Sequence, residues 1–491
     1  MNTYIGIDLG TSSVKLLLTK ADGEILAEAS RGYDVSYPRA GWTEQSPSFW
    51  WEATSEALAE LLDGQCRESV KGISFGGQMH GLVVLDGNDN VIRPCILWND
   101  GRTEKETEYL NNVIGKEKIS SLTGNIAFAG FTAPKLLWMK ENEPENFGRI
   151  SKIMLPKDYI AYLLSGVHAT DLSDASGMLT LDVKNRRWSE EMCKICGVTE
   201  KQLPRLYESY EVIGNLKPEL CEKFGLSRDV KIIIGAGDNA AAAVGTGTVK
   251  NGDCNVSLGT SGTVFIASDS FSVDKNNALH SFCHAGGGWH LMGCILSAAS
   301  CRKWWLEEIL DSRDYAASDN ASAECKGTGG VYFLPYLTGE RSPHNDVNIR
   351  GAFFGLSATT TRAQMCRAIM EGVAFAIRDC LEIARLSGVS PTSTKLCGGG
   401  AKSTVWRQIM ADVLGIPVQI LNTEQGPAFG AAILAAVGCG GYKTVSEGAE
   451  KIVKVKETVY PNAESVEKYQ RKYEIFKQLY PAIKELKLNG R

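Results

Sequence analysis

The sequence predicts an α/β protein of two domains. Residues 4–18 (YIGIDLGTSSVKLLL) and 254–267 (CNVSLGTSGTVFIA) each show an apolar run, Leu-Gly-Thr-Ser and a second apolar run, which is typical of a β-hairpin. Two such hairpins, about 250 residues apart, indicate two domains of related architecture. A Gly/Thr-rich stretch at 245–252 favours a boundary there, which divides the chain into domains 1–246 and 247–491.

The remaining elements mix strand and helix patterns. Short apolar runs at Lys71–Phe75, Leu82–Leu85 and Lys231–Gly235 predict strands. Apolar residues at helical spacing predict a helix over Thr361–Leu386, and a second helical pattern covers Trp406–Leu414. Because strands and helices share each half of the chain, α/β is the predicted class, and the cleft between the domains is the expected ligand site.

Composition excludes several classes of protein. The 491 residues are 44% apolar and 22% charged, which are ordinary values for a globular chain. The formal charge of −5 (52 − 57) provides no basic surface for nucleic acid. No apolar run approaches the roughly 18 residues of a membrane span, and the N-terminus lacks a signal-peptide pattern. We therefore expect no nucleic-acid or membrane partner and a cytoplasmic location.

The 14 cysteines are scattered from Cys66 to Cys439. Cys193 and Cys196 form one CxxC pair, but neither a second pair nor a histidine pair follows at the spacing of a zinc site. In a chain without an export signal, buried and reduced thiols are the prediction. A redox or metal role is the alternative.

The first hairpin turn contains residues that suit phosphate and a metal ion. Gly10 allows a tight turn and close approach of a ligand, and Thr11 and Ser12 offer hydroxyl and backbone N–H groups to phosphate oxygens. Asp8, at the end of the preceding strand, is a suitable Mg²⁺ ligand. A Ser/Thr-rich turn with no ligand explains the same residues.

Two further glycine-containing turns extend this pattern. Gly259 and Thr260 lie in the second hairpin, so the two hairpins together would hold a polyphosphate from both sides. Gly399 and Gly400 lie between a strand and a helix, where they allow a flat group such as adenosine to lie against the backbone and place a helix N-terminus near phosphate. This loop has neither GxGxxG nor Walker A spacing, and a tight strand-to-helix turn is the alternative.

Asp238 lies where a strand turns into a small-residue helix, at or near the helix N-terminus. One interpretation is a capping aspartate. The functional interpretation is a carboxylate that accepts the proton of a substrate hydroxyl during phosphoryl transfer. The helix dipole is expected to keep this side chain ionised with a low pKa, and a weak base suffices because such transfer depends mainly on positioning.

Two polar loops are candidates for binding a polyhydroxylated ligand. Met79 and His80 lie between glycines, so the loop exposes an apolar wall and a hydrogen-bonding ring. Asp100, next to Trp98 and Arg102, belongs to a second cluster of suitable residue types. A structural histidine and a surface turn are the alternatives.

Two longer segments carry a family resemblance. Gly130–Asn142 (GFTAPKLLWMKEN) and the stretch from Gly351–Leu356 (GAFFGL) to Gln364–Glu371 (QMCRAIME) follow the order of the two signatures of FGGY-family carbohydrate kinases, which the chain resembles over nearly its whole length. The resemblance implies an actin/hexokinase-like (ribonuclease H-like) fold, with mixed sheets flanked by helices and a catalytic cleft between two domains. The GQMHG loop at 77–81 is similar to the sugar-binding loop of family members that act on D-xylulose.

The resemblance also implies roles for single residues. Asp238 would be the proton acceptor, Asn239, Met79 and His80 would contact the sugar, and Asp8 would lie near the metal and the phosphates. Residues along the nucleotide would be Gly10, Thr11, Ser12, Gly259, Thr260, Gly399, Gly400 and Ser403.

The implied reaction is phosphorylation of D-xylulose to D-xylulose 5-phosphate by ATP with Mg²⁺. The resemblance is also compatible with a homodimer. Three alternatives stay open: a kinase of the same family for ribulose, gluconate, fuculose or a polyol, a catalytically silent sugar sensor, and an ATP-regulated binding protein with the same fold.

Overall fold

The computed structural model describes residues 2–325, 327–423 and 425–486, and these residues contain two seven-stranded sheets. All strands of the first sheet come from the first half of the chain. They are β1 Thr3–Leu9, β2 Ser13–Lys20, β3 Ile25–Gly32, β4 Val70–Gly77, β5 Val212–Asn215, β6 Lys231–Ile233 and β7 Ala236–Gly237. The order across this sheet is β5-β6-β4-β1-β2-β3, and β7 also pairs with β4.

The second sheet takes its strands from the second half of the chain. They are β8 Cys254–Leu258, β9 Gly262–Ser268, β10 His280–Cys283, β11 Trp289–Ile295, β12 Thr394–Cys397, β13 Val418–Leu421 and β14 Val455–Val459. The order is β10-β11-β9-β8-β12-β13-β14.

The two sheets repeat one topology. β1 pairs antiparallel with β2 and parallel with β4, and β8 pairs antiparallel with β9 and parallel with β12. Further out, β4–β6 and β12–β13 are parallel, whereas β6–β5 and β13–β14 are antiparallel. The two predicted hairpins are therefore confirmed, and they occupy equivalent places in the two sheets.

Helices cover both sheets. The α-helices are α1 Pro47–Leu61, α2 Glu104–Glu108, α3 Lys116–Thr123, α4 Thr132–Asn142, α5 Pro144–Gly148, α6 Pro156–Ser165, α7 Leu172–Ala175, α8 Glu190–Cys196, α9 Pro218–Phe224, α10 Asp238–Gly245, α11 Ala299–Lys303, α12 Tyr315–Glu324, α13 Arg362–Leu386, α14 Thr404–Leu414, α15 Gly426–Gly438, α16 Val445–Ile452 and α17 Ala463–Ile483. Short antiparallel ribbons pair Glu44–Gln45 with Cys95–Ile96, Val83–Leu85 with Lys152–Met154, Leu181–Asp182 with Arg187–Trp188, and Tyr332–Leu334 with Ala352–Phe354, while Ala169–Asp171 pairs in parallel with Arg205–Tyr207.

Helix α13 shows how the sequence determines an element. Thr361 precedes it, and its hydroxyl accepts the backbone N–H of Gln364, whose side chain accepts the backbone N–H of Thr361 in return. The predicted stripe is buried, with Ile369, Val373 and Ile377 fully enclosed in the core of the second sheet. The predicted helix is thus confirmed to within one residue.

The predicted strand Lys231–Gly235 is shorter in the structure, because β6 ends at Ile233. Gly235 adopts a φ of 76°, and a Cβ there would overlap the backbone of Phe75. The left-handed residue interrupts the strand. The chain resumes pairing as β7 and leads directly into α10.

Helix α15 comes from the second half of the chain but packs on the first sheet, against β1, β4 and α10. Glycines permit this approach. A Cβ on Gly430 would overlap the carbonyl oxygen of Ala241 in α10, and a Cβ on Gly6 would overlap that of Ala428 in α15. The helix that begins with Asp238 is therefore held by backbone-to-backbone packing.

Among the described residues, which include all 14 cysteines, there is no disulfide bond, and nine of the cysteines are buried. Burial raises the pKa of Cys193 to about 11 and that of Cys196 to about 12, so both thiols stay protonated at neutral pH. Within the described residues, no helix is both long and apolar enough to cross a membrane.

Candidate active site

Two carboxylates meet where three parallel strands of the first sheet end. Asp8 on β1 lies beside Gly76 on β4, and Gly237 on β7 lies beside Gly77. Asp238 follows and begins α10. Burial and the nearby Asp238 raise the pKa of Asp8 to about 7, and Lys15 opposes that rise. The sheet thus brings together the acids that the sequence suggested for the metal and for the proton transfer.

Asp238 differs from the sequence prediction in its pKa. Burial raises the pKa of Asp238 to about 6, although the backbone N–H of Asn239 donates to Oδ1 at 2.7 Å and lowers it. The prediction that the helix dipole keeps this pKa low is wrong, because desolvation of this partly buried carboxylate outweighs the dipole of one short helix. Asp238 is therefore a stronger base than the sequence indicated.

The turn of the first hairpin is fixed by its neighbours. The backbone N–H of Gly10 donates to the Ser13 carbonyl at 3.0 Å, and the Tyr33 hydroxyl donates to the Gly10 carbonyl at 2.5 Å. Thr11 accepts the indole N–H of Trp98 at 2.9 Å. The carbonyl of Ser12 accepts the backbone N–H of Tyr33 at 3.1 Å. These bonds hold the predicted phosphate turn in one conformation.

Lys15 is a charged residue at this turn that sequence analysis missed. The register of the hairpin places it opposite Asp8. Its ammonium donates to Oε1 of Gln425, just before α15, at 2.5 Å. The sequence contained this information: Leu9 pairs with Val14 at the turn, so the next pair outward is Asp8 with Lys15.

The second hairpin turn touches the glycine-rich loop. A Cβ on Gly398, which has a φ of 88°, would lie 2.8 Å from the carbonyl of Leu258 and 3.1 Å from the amide of Gly259. The Thr260 carbonyl accepts the backbone N–H of Ala298 at 2.9 Å. The second hairpin and the loop that follows β12 therefore form one surface.

The predicted nucleotide residues of the glycine-rich loop differ in their exposure. A Cβ on Gly399 would meet nothing within 4 Å, so this residue faces open space, whereas one on Gly400 would lie 2.8 Å from Leu258. Ser403 is the N-cap of α14: its hydroxyl accepts the N–H of Trp406 at 3.1 Å and donates to Asp319 at 2.9 Å. The hydroxyl of Ser403 is therefore engaged within the protein.

His80, which lines the same cavity as Asp238, is held by several contacts. Its φ is 70°, and its carbonyl accepts the ammonium of Lys135 at 2.8 Å. Nδ1 donates to the Gly177 carbonyl at 2.8 Å, and the ring stacks on Phe131 with centroids 4.6 Å apart. Burial, assisted by Lys135, lowers the pKa of His80 to about 3. The neutral ring keeps its proton on Nδ1, which leaves Nε2 as an acceptor.

Met79, His80, Asp238 and Asn239 line one cavity of about 250 Å³. The Asn239 side-chain amide lies 3.9 Å from the Met79 sulfur and 3.1 Å from Oδ1 of Asp238. Both halves of the chain contribute to the wall. Its other members are Trp98, Phe128, Gly130, Phe131, Ser261, Thr263, His280, Met292, Cys294 and Arg341. The volume suits a small molecule of a few carbons.

Comparison with known proteins identifies the family. Residues 3–245 match the N-terminal domain of the FGGY family of carbohydrate kinases, and residues 254–439 match its C-terminal domain. The chain belongs to this family. The kinase is 41% identical to the xylulose kinase of Escherichia coli (strain K12) over 482 residues, which cover 98% of this chain and 99% of the relative.

Solved structures agree with this assignment. A xyloylose kinase from Brucella ovis superposes with a TM-score of 0.94 at 41% identity, covering 99% of this chain and 100% of that one. Ligand-bound xylulose kinase from Lactobacillus acidophilus also gives a TM-score of 0.94, at 27% identity and 99% coverage of both chains. The kinase therefore has the actin/hexokinase-like fold that the sequence predicted.

Asp100 is the predicted sugar residue that the structure does not bring to the cavity. Its carboxylate is buried and accepts the backbone N–H of Thr43 and the guanidinium of Arg102, at 2.5 and 2.7 Å respectively. Arg102 in turn lies over the Trp42 ring at 3.8 Å. In the kinase, Asp100 thus organises a loop, and the neighbouring Trp98 reaches the cavity instead.

Sequence analysis also missed residues that the kinase brings to the cavity from distant segments. Phe128 and Phe131 precede α4, His280 lies on β10 and Arg341 lies in a loop between short strands. Phe131 lies within the first family signature, and this was the one sequence feature that could have indicated a residue of the cavity. His280 and Arg341 reach the cavity only through the tertiary fold.

Proposed function

We propose that this kinase transfers the γ-phosphoryl group of ATP to the 5-hydroxyl of D-xylulose. The observation that carries the proposal is the single cavity that joins the Met79–His80 loop to Asp238. The names of the full-length relatives support the choice of sugar. Asp8 and the first hairpin lie at the same edge of the sheet as Asp238, so sugar and phosphate sites would adjoin.

Asp238 is the proton acceptor in this proposal. With a pKa near 6 it is ionised at neutral pH, and yet it is basic enough to take a proton as the hydroxyl attacks. The Asn239 bonds to Oδ1 fix the orientation of the carboxylate and leave Oδ2 for the substrate. Phosphoryl transfer depends mainly on such positioning and on charge stabilisation.

Met79, His80 and Asn239 would orient the sugar. Nε2 of the neutral His80 accepts a hydrogen bond from a sugar hydroxyl, and the Asn239 amide offers both a donor and an acceptor. The Met79 side chain forms an apolar wall against carbon-bound hydrogens of the sugar. Asp100 is left out of this site because its oxygens are engaged by Thr43 and Arg102.

As a member of a carbohydrate kinase family, the protein uses ATP. In the proposal, Gly10, Thr11 and Ser12 contact the phosphates from one side, and Gly259 and Thr260 contact them from the other. Adenosine lies along the open face at Gly399 and Gly400, with Ser403 supporting this loop through its helix cap. The ammonium of Lys15 provides positive charge beside the first turn.

The residues near Asp8 fit Mg²⁺. In the described part of the chain, no three His, Cys, Asp or Glu side chains form a metal-binding group, which fits an ion held by one or two carboxylates, water and substrate phosphates. Asp8 is a half-buried carboxylate whose pKa is raised by desolvation and by the second acid Asp238, so a cation there would relieve the repulsion. When bound, Mg²⁺ supplies charge neutralisation on the phosphates.

Three broader expectations remain part of the proposal. The chain divides into functional domains at 246/247, which approach each other over the bound substrates and exclude water. The reaction takes place in the cytoplasm. Two copies of the chain form a homodimer.

A substrate panel tests the proposal. Purified protein with Mg²⁺ and ATP is assayed for ADP release with ketoses, aldoses, polyols and sugar acids. We expect the highest kcat/KM with D-xylulose. A preference for ribulose, gluconate, fuculose or a polyol would keep the kinase reaction and replace the substrate. Folded protein that binds ATP but releases no ADP with any sugar would favour a sugar sensor or an ATP-regulated binding protein.

A further inference from the structure

The Arg341 guanidinium lines the cavity that contains Asp238, and its nearest charged neighbour along the chain is Glu340, whose pKa is raised by burial and lowered by Arg341. The guanidinium carbon of Arg341 lies 5.6 Å from the centre of the Phe128 ring. Among the residues that the structure describes, this guanidinium makes neither a hydrogen bond nor an ion pair. By contrast, Arg102 and Arg186 are bound by carboxylates. A guanidinium carries five donors, so the half-exposed side chain of Arg341 can donate to an oxygen of a ligand in the cavity.

The backbone around Arg341 is anchored on both sides. Oε1 of Glu340 accepts the backbone N–H of Leu296 at 2.8 Å and that of Arg341 at 2.7 Å. The Ser342 hydroxyl accepts the N–H of Cys294 at 3.0 Å and donates to the Ala278 carbonyl at 2.8 Å. The segment is thus fixed to β11, and Arg341 is positioned before a ligand binds.

Arg341 lies over the Phe128 ring, whose centre is 5.1 Å from that of the His280 ring. Asp238, in contrast, lies at the Asn239 amide, beside the Met79 sulfur. The positive charge of Arg341 lowers the pKa of His80, His280 and Cys294. A substrate whose reacting hydroxyl is at Asp238 would therefore present its opposite end to Arg341.

The chemistry of a ketopentose specifies what that opposite end contains. Its carbonyl at C2 closes a five-membered ring only through the 5-hydroxyl. A free 5-hydroxyl therefore requires the open chain, in which C2 carries a carbonyl oxygen. A carbonyl oxygen only accepts hydrogen bonds, and a guanidinium only donates them.

We propose that Arg341 binds the C2 carbonyl oxygen of the open-chain ketose and so selects ketoses over the alditols formed by reduction at C2. This inference rests on the proposed function. Arg341 then acts as a substrate-binding residue contributed by the second half of the chain, across the cleft from the base. A five-carbon aldonate would place a carboxylate, instead of a ketone, at the same end of the cavity. The experiment therefore compares binding of the aldonate with binding of the ketose.

Three variants of the full-length protein test the inference. Arg341→Met removes the donors at similar size, and Arg341→Lys keeps a charge and some donors. The matched control is Arg350→Met, because Arg350 lies in the same segment and, within the described part of the chain, its side chain donates to the nearby carbonyls of Val347 and Ile349 alone. Thermal unfolding of each variant reports on folding.

The measured quantities are kcat/KM and KM for D-xylulose, KM for ATP, and the inhibition constants of xylitol, D-arabinitol and the five-carbon aldonate. For Arg341→Met we expect kcat/KM for D-xylulose to fall by about 10- to 100-fold, mainly through KM, since a charged hydrogen bond is lost. The alditol inhibition constants and KM for ATP should change less than about threefold. Arg341→Lys should give an intermediate loss, and Arg350→Met should match the wild type.

Other outcomes overturn the inference. If Arg341→Met weakens binding of D-xylulose and of the alditols equally, then Arg341 does not recognise the carbonyl. If KM for D-xylulose is unchanged, then Arg341 does not bind the sugar. If the wild type binds the aldonate more tightly than the ketose, and Arg341→Met loses this preference, then Arg341 binds a carboxylate and not a ketone. Failure of the wild type to phosphorylate any ketose would instead overturn the proposed function.

Discussion

Asp238, the proposed proton acceptor, has a half-buried carboxylate whose ionisation opposes folding. Its pKa rises from 3.8 to about 6 in the folded protein. The folded state therefore binds the proton more tightly than the unfolded chain, so the associated stability is present at low pH and is lost as pH rises from about 4 to about 6. At neutral pH the ionised carboxylate is a net cost to the fold.

We therefore predict that Asp238→Asn lowers kcat by about 10²- to 10⁴-fold and yet stabilises the protein. The free energy of unfolding at pH 8 should rise by about 2–3 kcal/mol, because the amide removes a buried charge. This gain should vanish near pH 4. Denaturant unfolding at both pH values measures it, with the exposed Asp229→Asn as control. Loss of stability at pH 8, or turnover close to that of the wild type, would contradict the assignment.

The same carboxylate predicts the pH dependence of turnover. Since the base must be deprotonated, kcat/KM for the sugar should fall below about pH 6 by tenfold per unit, as the Asp8–Asp238 pair takes up a proton. His80 has a pKa of about 3, so it stays neutral and adds no change between pH 5 and 8. Initial rates from pH 5 to 9 at saturating ATP and Mg²⁺ measure this decrease of kcat/KM at low pH. If the decrease is absent in His80→Asn, it is caused by the histidine instead.

At the scale of elements, the contact between α10 and α15 holds the helix that begins with Asp238, the proposed base. We predict that Gly430→Ala destabilises the protein by about 3 kcal/mol, since the added Cβ overlaps the backbone of Ala241 and forces the helices apart. Displacement of α10 should also reduce kcat. Gly148→Ala is the matched control, because a Cβ on that helical glycine meets nothing within 4 Å. Equal effects of both substitutions on urea unfolding would show that the close contact is unimportant.

Elements with a strong local pattern could be predicted from the sequence. The two hairpins are marked by apolar runs around a glycine turn, and α13 is marked by its capping residues and apolar stripe. The position of α15 could not be predicted, because its residues are almost all apolar or glycine and indicate no particular face. Its place on the first sheet depends on contacts with Gly6 and Ala241 that are distant in sequence.

The candidate site could be predicted only in part, for a similar reason. Asp8, Met79, His80 and Asp238 stand at turns that follow strands, where residue type and position already suggest chemistry. The raised pKa of Asp238 and the engagement of Asp100 with Arg102 depend on burial and on partners, which one sequence does not display. The tertiary fold determines both the burial of a charged side chain and the identity of its partners.

At the scale of the whole molecule, the cavity proposed to bind the sugar is lined by both halves of the chain. Asp238 and the Met79–His80 loop come from the first half, and Arg341 and β10–β11 come from the second. We predict that D-xylulose alone slows amide hydrogen exchange in both the first turn of α10 and residues 280–295. Protection restricted to the first half would show that the second half does not contact the sugar. L-Arabinose at the same concentration serves as the control.

The central claim is that the kinase transfers phosphate to the 5-hydroxyl of D-xylulose at Asp238. The most direct measurement is ³¹P and ¹³C NMR of the reaction with ATP, Mg²⁺ and ¹³C-labelled D-xylulose, using the wild type and Asp238→Asn. We predict a phosphomonoester coupled to C5 with the wild type and none above background with the variant. Phosphate on another carbon, inorganic phosphate in place of a sugar phosphate, or the same product from the variant would contradict the account.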